Sequence, residues 1–231
     1  MKQLIKKTPI FGQAARRIYG SLTRAPAMKS SRVFQGSEAY WKARYEAGGH
    51  SGRGSYDQLA RFKADILNQF VSENNVTSVI EYGCGDGNQL GLAQYPQYTG
   101  FDVSPNALTR CLKRFRNDRT KTFKLLEEHN SETAQLTLSL DVIYHLVEDS
   151  VYFDHMNRLF DSAERFVIIY SSNTDDTPAG TAAHVRHRKF TSWIDLHKAQ
   201  WQQTELIPNK YPLRADNSSG SFSDFYIYSR T

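Results

Sequence analysis

From Thr77 to Leu90 the chain reads "TSVIEYGCGDGNQL". Val79 and Ile80 are β-branched and apolar and suit the core of a strand, Glu81 ends that strand, and Gly83, Gly85 and Gly87 follow at every second position. Glycine is required where backbone torsions turn positive or where a ligand must touch main chain. One glycine satisfies an ordinary turn, so three at alternate positions behind a strand-end acid point to a turn that carries a ligand. A dinucleotide fingerprint would place its third glycine at position 88, where this chain has Asn88. The carboxylate before the turn also suits an ammonium-bearing ligand better than a pyrophosphate.

Around this turn, short apolar runs alternate with helical stretches. "TSVIEY", "QYTGFDVS", "KTFKLL", "AQLTLSLDVIY" and "ERFVIIYSS" read as five strands, with helices expected at 88–94, 104–116 and 149–163 between them. Two further helices are expected ahead of the turn, at 37–47 and 56–73. In the second, Leu59, Phe62, Ile66, Leu67 and Phe70 recur at three- and four-residue spacing and define one buried face. The βαβ rhythm predicts a parallel sheet covered by helices on both faces. The last runs, near 202–208 and 221–229, have no clear helix between them and are expected to pair antiparallel. The fold expected is therefore α/β: a doubly wound, mostly parallel seven-stranded sheet with an antiparallel closing hairpin and an N-terminal helical cap.

At 231 residues, with 39% hydrophobic and 23% charged content, the chain suits one soluble domain able to bury a full core. Two cysteines, Cys84 and Cys111, support neither a disulfide scaffold nor a zinc site, and no metal is expected. The formal charge of +5 is unevenly spread. Residues 1–32 hold eight Lys or Arg and no acid, whereas the rest carries 21 basic against 24 acidic residues. A basic leader and linker, residues 1–35, thus precedes a mildly acidic body, residues 36–231, which argues against a nucleic-acid platform. Within the leader, Phe11, Ala15, Ile18 and Leu22 lie at helical spacing beside Arg16, Arg17 and Arg24. That pattern is expected of a membrane-surface anchor, and a disordered leader or an organelle transit peptide would share it. The location expected is cytoplasmic, with peripheral membrane contact through the leader.

On "EYGCGDG", Glu81 to Gly87, and on the acid at the end of the next strand, Asp102 in "YTGFDVSP", the sequence resembles the class I S-adenosylmethionine-dependent methyltransferases over residues 36–231. The resemblance implies S-adenosyl-L-methionine as cofactor. It implies that Glu81 faces the methionyl amine, that Gly83 and Gly85 lie under the cofactor, and that Asp102 accepts the ribose hydroxyls; Cys84, Gly87 and Leu140 complete the expected cofactor-binding set. The fourth strand runs into "SLDVIYHLVED", so Asp141, Tyr144 and His145 are the expected acceptor contacts. No Asn-Pro-Pro-Tyr type motif follows it, which removes support for transfer to a base nitrogen or a glutamine amide.

Methyl transfer from a sulfonium is an in-line displacement that requires alignment and, for a hydroxyl acceptor, removal of a proton. His145 is the expected base, with Asp141 orienting it or taking the proton itself. Downstream, "HVRHRKF" gathers His184, Arg186, His187, Arg188 and Lys189, which suits an anionic acceptor or else forms a solvated basic loop. Tyr40, Trp41, Arg44 and Tyr45 are expected either to cover the cofactor or simply to pack. The expected function is O-methylation of a sugar or other small polar acceptor, anionic or lipid-linked, in glycan biosynthesis. A tRNA or protein methyltransferase and a non-catalytic cofactor-binding regulatory subunit are the alternatives.

Overall fold

Alternation along the strands decides which helix covers which face, because successive side chains point to opposite sides. Val79 faces a cluster that includes Leu67 and Val71 with Leu108 and Cys111. Its neighbours Ile80 and Tyr82 face the other side, toward Met156, Leu159, Phe160, Phe190 and Ile194. The same alternation separates Ile168 and Tyr170 from Val167 and Ile169, and Phe225 and Ile227 from Tyr226 and Tyr228. Two apolar layers thus sandwich one sheet. A fully buried side chain such as Leu67 or Phe160 contributes about 1.5–3 kcal/mol relative to exposure.

The computed structural model describes residues 34–213 and 219–231. The amphipathic leader expected within residues 1–32 lies outside the described residues. The unit from Phe34 to Thr231 contains strands β1 (Ser78–Tyr82), β2 (Gln97–Asp102), β3 (Lys121–Leu125), β4 (Ala134–Leu140), β5 (Ala163–Ser171), β6 (Trp201–Ile207) and β7 (Asp224–Arg230). Its helices are α1 (Ser37–Glu46), α2 (Asp57–Glu73), α3 (Pro105–Arg114), α4 (Asp149–Asp161) and α5 (Phe190–His197). The strands lie in the order β3-β2-β1-β4-β5-β7-β6. Only the pairings of β7 with β5 and with β6 are antiparallel. This is the seven-stranded mixed sheet with a closing hairpin that the sequence predicts.

Two elements differ from expectation. The helix expected at 88–94 is only a 3-10 turn at Leu90–Leu92. The glycine turn uses up most of the chain between β1 and β2, and the Asn68 side chain then donates to the Leu92 carbonyl and accepts from the Gln94 amide. These side-chain bonds replace the helical ladder. Conversely, α5 forms just after the basic run, where no element is expected, because Phe190 and Ile194, four residues apart, are buried against the sheet, while residues 184–189 remain a loop as expected. Among the described residues no helix is long and apolar enough to cross a membrane.

Candidate active site

In a doubly wound sheet the ligand crevice lies beyond the carboxyl ends of the strands where strand order reverses. Here β1 sits between β2 and β4, and a cavity of about 250 Å³ opens beyond their ends. Glu81, Gly83, Cys84, Gly85, Asp102, Leu140, Asp141 and His145 all line it. Of the expected cofactor set, Gly87 does not. A Cβ there would come within 3.0 Å of Phe115 and Cys111, so this glycine serves the packing of α3 against the turn.

The turn itself needs glycine on two counts. Gly83, Gly85 and Gly87 have φ of 84°, 59° and 71°. A Cβ on Gly85 would lie 2.3 Å from Ser51 Oγ and 2.8 Å from the Tyr45 hydroxyl. Both atoms belong to a lid formed by α1 and the following loop. Tyr45 bonds Ser51 Oγ at 2.7 Å, and Ser51 Oγ accepts from the Asp86 amide at 3.0 Å. Asp86 returns the contact, since its carboxylate accepts from the Ser51 amide and from the Tyr56 hydroxyl. Burial works to raise the Asp86 carboxyl, but these donors and the Asn88 amide outweigh it and hold it below its ordinary value. Arg110 on α3 donates to the Tyr45 and Gly49 carbonyls and so fixes the end of α1. The lid is thus tied to the glycine turn by bonds on both sides.

Two carboxylates stand beneath it. Asp102 at the end of β2 accepts from the Gly85 and Ser104 amides, both at 2.9 Å, yet burial pushes its carboxyl up to about 6. Glu81 accepts from the Tyr98 hydroxyl at 2.8 Å. Burial raises it to about 7, against the opposing effects of that bond and of the Lys63 charge. The folded protein therefore keeps a proton on Glu81 that the unfolded chain, near 4.5, has released. Its contribution to stability is complete below that value and is lost as pH rises toward about 7. A cationic ligand beside Glu81 would oppose the loss.

The acceptor side is built differently from expectation. Among the described residues no hydrogen bond joins His145 to Asp141. His145 Nδ1 lies 3.0 Å from the His184 carbonyl, which can only accept, so Nδ1 carries the proton and Nε2 keeps its lone pair. Burial lowers this imidazole to about 4, leaving it neutral at physiological pH. Asp141, at φ 60°, is held by three donors: Lys63 Nζ at 2.7 Å, the Tyr144 hydroxyl at 3.0 Å and Ser223 Oγ at 3.1 Å. Tyr144 thus acts as a brace for Asp141 and does not line the cavity.

The basic run is also largely committed. Arg188 donates to Asp149 and to the Leu146 and Val147 carbonyls, and Arg186 to Asp149 and Val147. Neither lines the cavity. His187 Nδ1 bonds Ser172 Oγ at 2.6 Å, and His184 stacks on Tyr40 with ring centroids 4.1 Å apart. Burial lowers both imidazoles. Trp41 packs edge-on against His145 at 4.9 Å and lines the cavity. Of these rings, Trp41 and His145 line the cavity, where Glu38, Asp154 and Arg158 also stand, while Arg186 and Arg188 contribute no cation to it.

Sequence reasoning passed over Lys63, Asp86 and Gln89. Asp86 lay inside the quoted motif. Lys63 had a signal: it sits four residues from Leu59 and from Leu67 on the apolar face of α2. Gln89 lines the cavity and donates to the Ala60 carbonyl, while its buried Oε1 has no hydrogen-bond partner among the described residues. An orphaned acceptor of this kind calls for a donor from a ligand. Together with the Gly85 cradle and the two carboxylates, it fits S-adenosylmethionine, which offers an ammonium and two ribose hydroxyls.

A family model described as a methyltransferase domain matches residues 56–208, more than half of the chain. A search of curated proteins returned no significant match. Among solved structures, the chain is similar to the N-methyltransferase NodS from Bradyrhizobium japonicum WM9 in complex with S-adenosyl-L-homocysteine. That match has 16% identity and a TM-score of 0.66, covering 84% of this chain and 98% of that one. It is also similar to magnesium protoporphyrin IX methyltransferase from Synechocystis PCC 6803 with bound S-adenosylmethionine, at 14% identity and TM-score 0.57, over 87% and 100% of the two chains. The methyltransferase domain of bacterial CtHen1-C matches at 19% identity and TM-score 0.57, over 75% and 99%. These neighbours share the fold with this chain. With the glycine turn, the strand-end acids and the family match in one place, the chain belongs to the methyltransferase-domain family and is a class I S-adenosylmethionine-dependent methyltransferase.

Proposed function

We propose that the protein transfers a methyl group to the hydroxyl of a small, uncharged, ring-bearing acceptor such as a sugar. The observation that carries this reading is His145: a neutral imidazole on the cavity wall, its Nδ1 proton fixed on the His184 carbonyl and its Nε2 free to accept a proton. S-adenosylmethionine, when bound, supplies an electrophilic methyl group whose positive charge disappears on transfer. The protein's share is alignment and proton removal. Asp102, itself held by the Gly85 amide, is the group to hold the ribose, and Glu81 and Gln89 are the groups to hold the amino-acid end. Trp41 offers the acceptor a flat apolar surface beside His145. An anionic acceptor loses its main support, since Arg186 and Arg188 are taken up by Asp149 and backbone carbonyls.

Purified protein incubated with methyl-labelled cofactor and cell extract tests this. Label is expected in a small, alkali-stable product; label in tRNA or protein would replace the reading with one of those acceptors. Equally, no turnover with any fraction, beside intact cofactor binding, would make the protein a binding subunit. His145→Ala is expected to lower turnover by about 10²- to 10⁴-fold while the Kd for S-adenosylhomocysteine stays within a factor of two to three. Because burial keeps His145 deprotonated down to about 4, the rate of the parent should show no loss assignable to an ordinary histidine near pH 6.5. Near-normal turnover of the variant would leave alignment alone as the mechanism.

Peripheral membrane contact is proposed from the sequence of the leader, whose cations contribute about 1 kcal/mol each near an anionic surface. Sedimentation with anionic vesicles is expected to retain the full chain in a salt-sensitive way and to release a form lacking residues 1–30, with cofactor binding unchanged. Equal recovery of both forms in the supernatant would remove the anchor.

A further inference from the structure

Lys63 is the one charged side chain on the buried face of α2, and its side chain is only 1% exposed. An ammonium withdrawn from water costs several kcal/mol, and a buried ion pair recovers this without exceeding what an apolar replacement would give. Stability alone therefore does not account for it. Its surroundings are those of the donor site. Nζ lies 2.7 Å from Asp141 Oδ2 and 5.2 Å from the centre of the Tyr170 ring, and Lys63 lines the cavity together with Glu81, Asp141 and Gln89.

Asp141 receives Tyr144 and Ser223 on its other oxygen, so three separate segments converge on one carboxylate at the end of β4. Lys63 also acts on Glu81, where its charge favours the ionised form. The other groups facing Glu81 are the Tyr98 hydroxyl, which donates to it, and Asp102, whose charge opposes ionisation; Tyr95 and Cys84 also sense its charge. The Lys63 ammonium and the Glu81 and Asp141 carboxyl groups thus line the same cavity, where Glu81, once ionised, suits an incoming ammonium.

Building on the donor reading above, we propose that Lys63 is a positioning residue for the amino-acid end of the methyl donor. It fixes Asp141 at the end of β4 and supplies the positive charge that holds Glu81 ready as the carboxylate partner of the donor's ammonium. Lys63 touches neither the methyl group nor the acceptor in this role; it acts through Asp141 and Glu81.

The test is calorimetric titration with S-adenosylhomocysteine from pH 6 to 9, on the parent, Lys63→Met and Asp141→Asn, each checked for folding by circular dichroism. Parent affinity should fall as pH drops through about 7, where Glu81 takes up its proton. Lys63→Met should move that inflection about one unit to higher pH and weaken binding at pH 7 by about fivefold, as the ionised fraction of Glu81 falls from one half to about one eleventh. Asp141→Asn should move it the other way, because the Lys63 charge then acts on Glu81 unneutralised. A merely structural ion pair predicts weakening without opposite displacements. Inflections unmoved in both variants would overturn the proposal, whereas a parent that binds no S-adenosylhomocysteine at any pH would overturn the donor reading beneath it. Should Lys63→Met fail to fold, the ¹³C carboxyl resonance of Glu81 in free Asp141→Asn decides: a downward shift of its titration supports the role, and an unchanged titration refutes it.

Discussion

Asp102→Ala is expected to abolish measurable cofactor binding. The carboxylate ends β2, lines the cavity and is the group placed to receive two ribose hydroxyls. Hydrogen bonds to a charged acceptor are worth about 1.5–3 kcal/mol each, so the loss of two amounts to about 10²- to 10⁴-fold in Kd. The variant also releases the Gly85 and Ser104 amides, which Asp102 now holds at 2.9 Å. Asp102→Asn separates the two effects, since its amide oxygen still accepts a backbone bond while the charge is gone. It should fold as the parent does and still lose at least tenfold in affinity by calorimetry. An alanine variant that binds S-adenosylhomocysteine as tightly as the parent would remove Asp102 from the donor site.

Gly85→Val should have an effect of similar size by another route. The position has φ 59°, where a β-branched residue is strained by about 1–2 kcal/mol. The new Cβ would stand 2.3 Å from Ser51 Oγ, an atom already engaged by Tyr45 and by the Asp86 amide. Valine must therefore break the bonds that seat the lid, besides filling the space beneath the donor. Thermal unfolding should show a lowered Tm with a cooperative transition retained, and S-adenosylhomocysteine should no longer raise that Tm. Gly85→Ala should fall between parent and valine. A valine variant with parental affinity would mean that the glycine serves the turn alone.

What the sequence carried was local. A strand ending in Glu81, three glycines at positive φ and an acid at the end of the next strand are set by torsion and spacing within about 25 residues. A parallel sheet covered by helices on both faces follows from the same βαβ rhythm. What it did not carry depends on long-range pairing. Asp141 looked like a free base at the end of β4, but its partner Lys63 lies 78 positions away. Arg186 and Arg188 looked like an anion site, and Asp149, which neutralises them, is 37 and 39 positions away. The short helix expected at 88–94 gave way to side-chain bonds from Asn68 that no periodicity reveals. Burial, too, is a tertiary property: the imidazole of His145, ordinarily near 6.5, is pushed down to about 4 by burial, against the opposing effect of its bond to the His184 carbonyl.

The most direct measurement is a crystal structure of the protein grown with S-adenosylhomocysteine. The account predicts the ribose hydroxyls on Asp102, the amino group on Glu81 and Gln89, and the sulfur facing the side of the cavity where His145 and Trp41 stand. Density for the ligand at any other place on the protein, with the cavity beyond β1, β2 and β4 left to solvent, would contradict it.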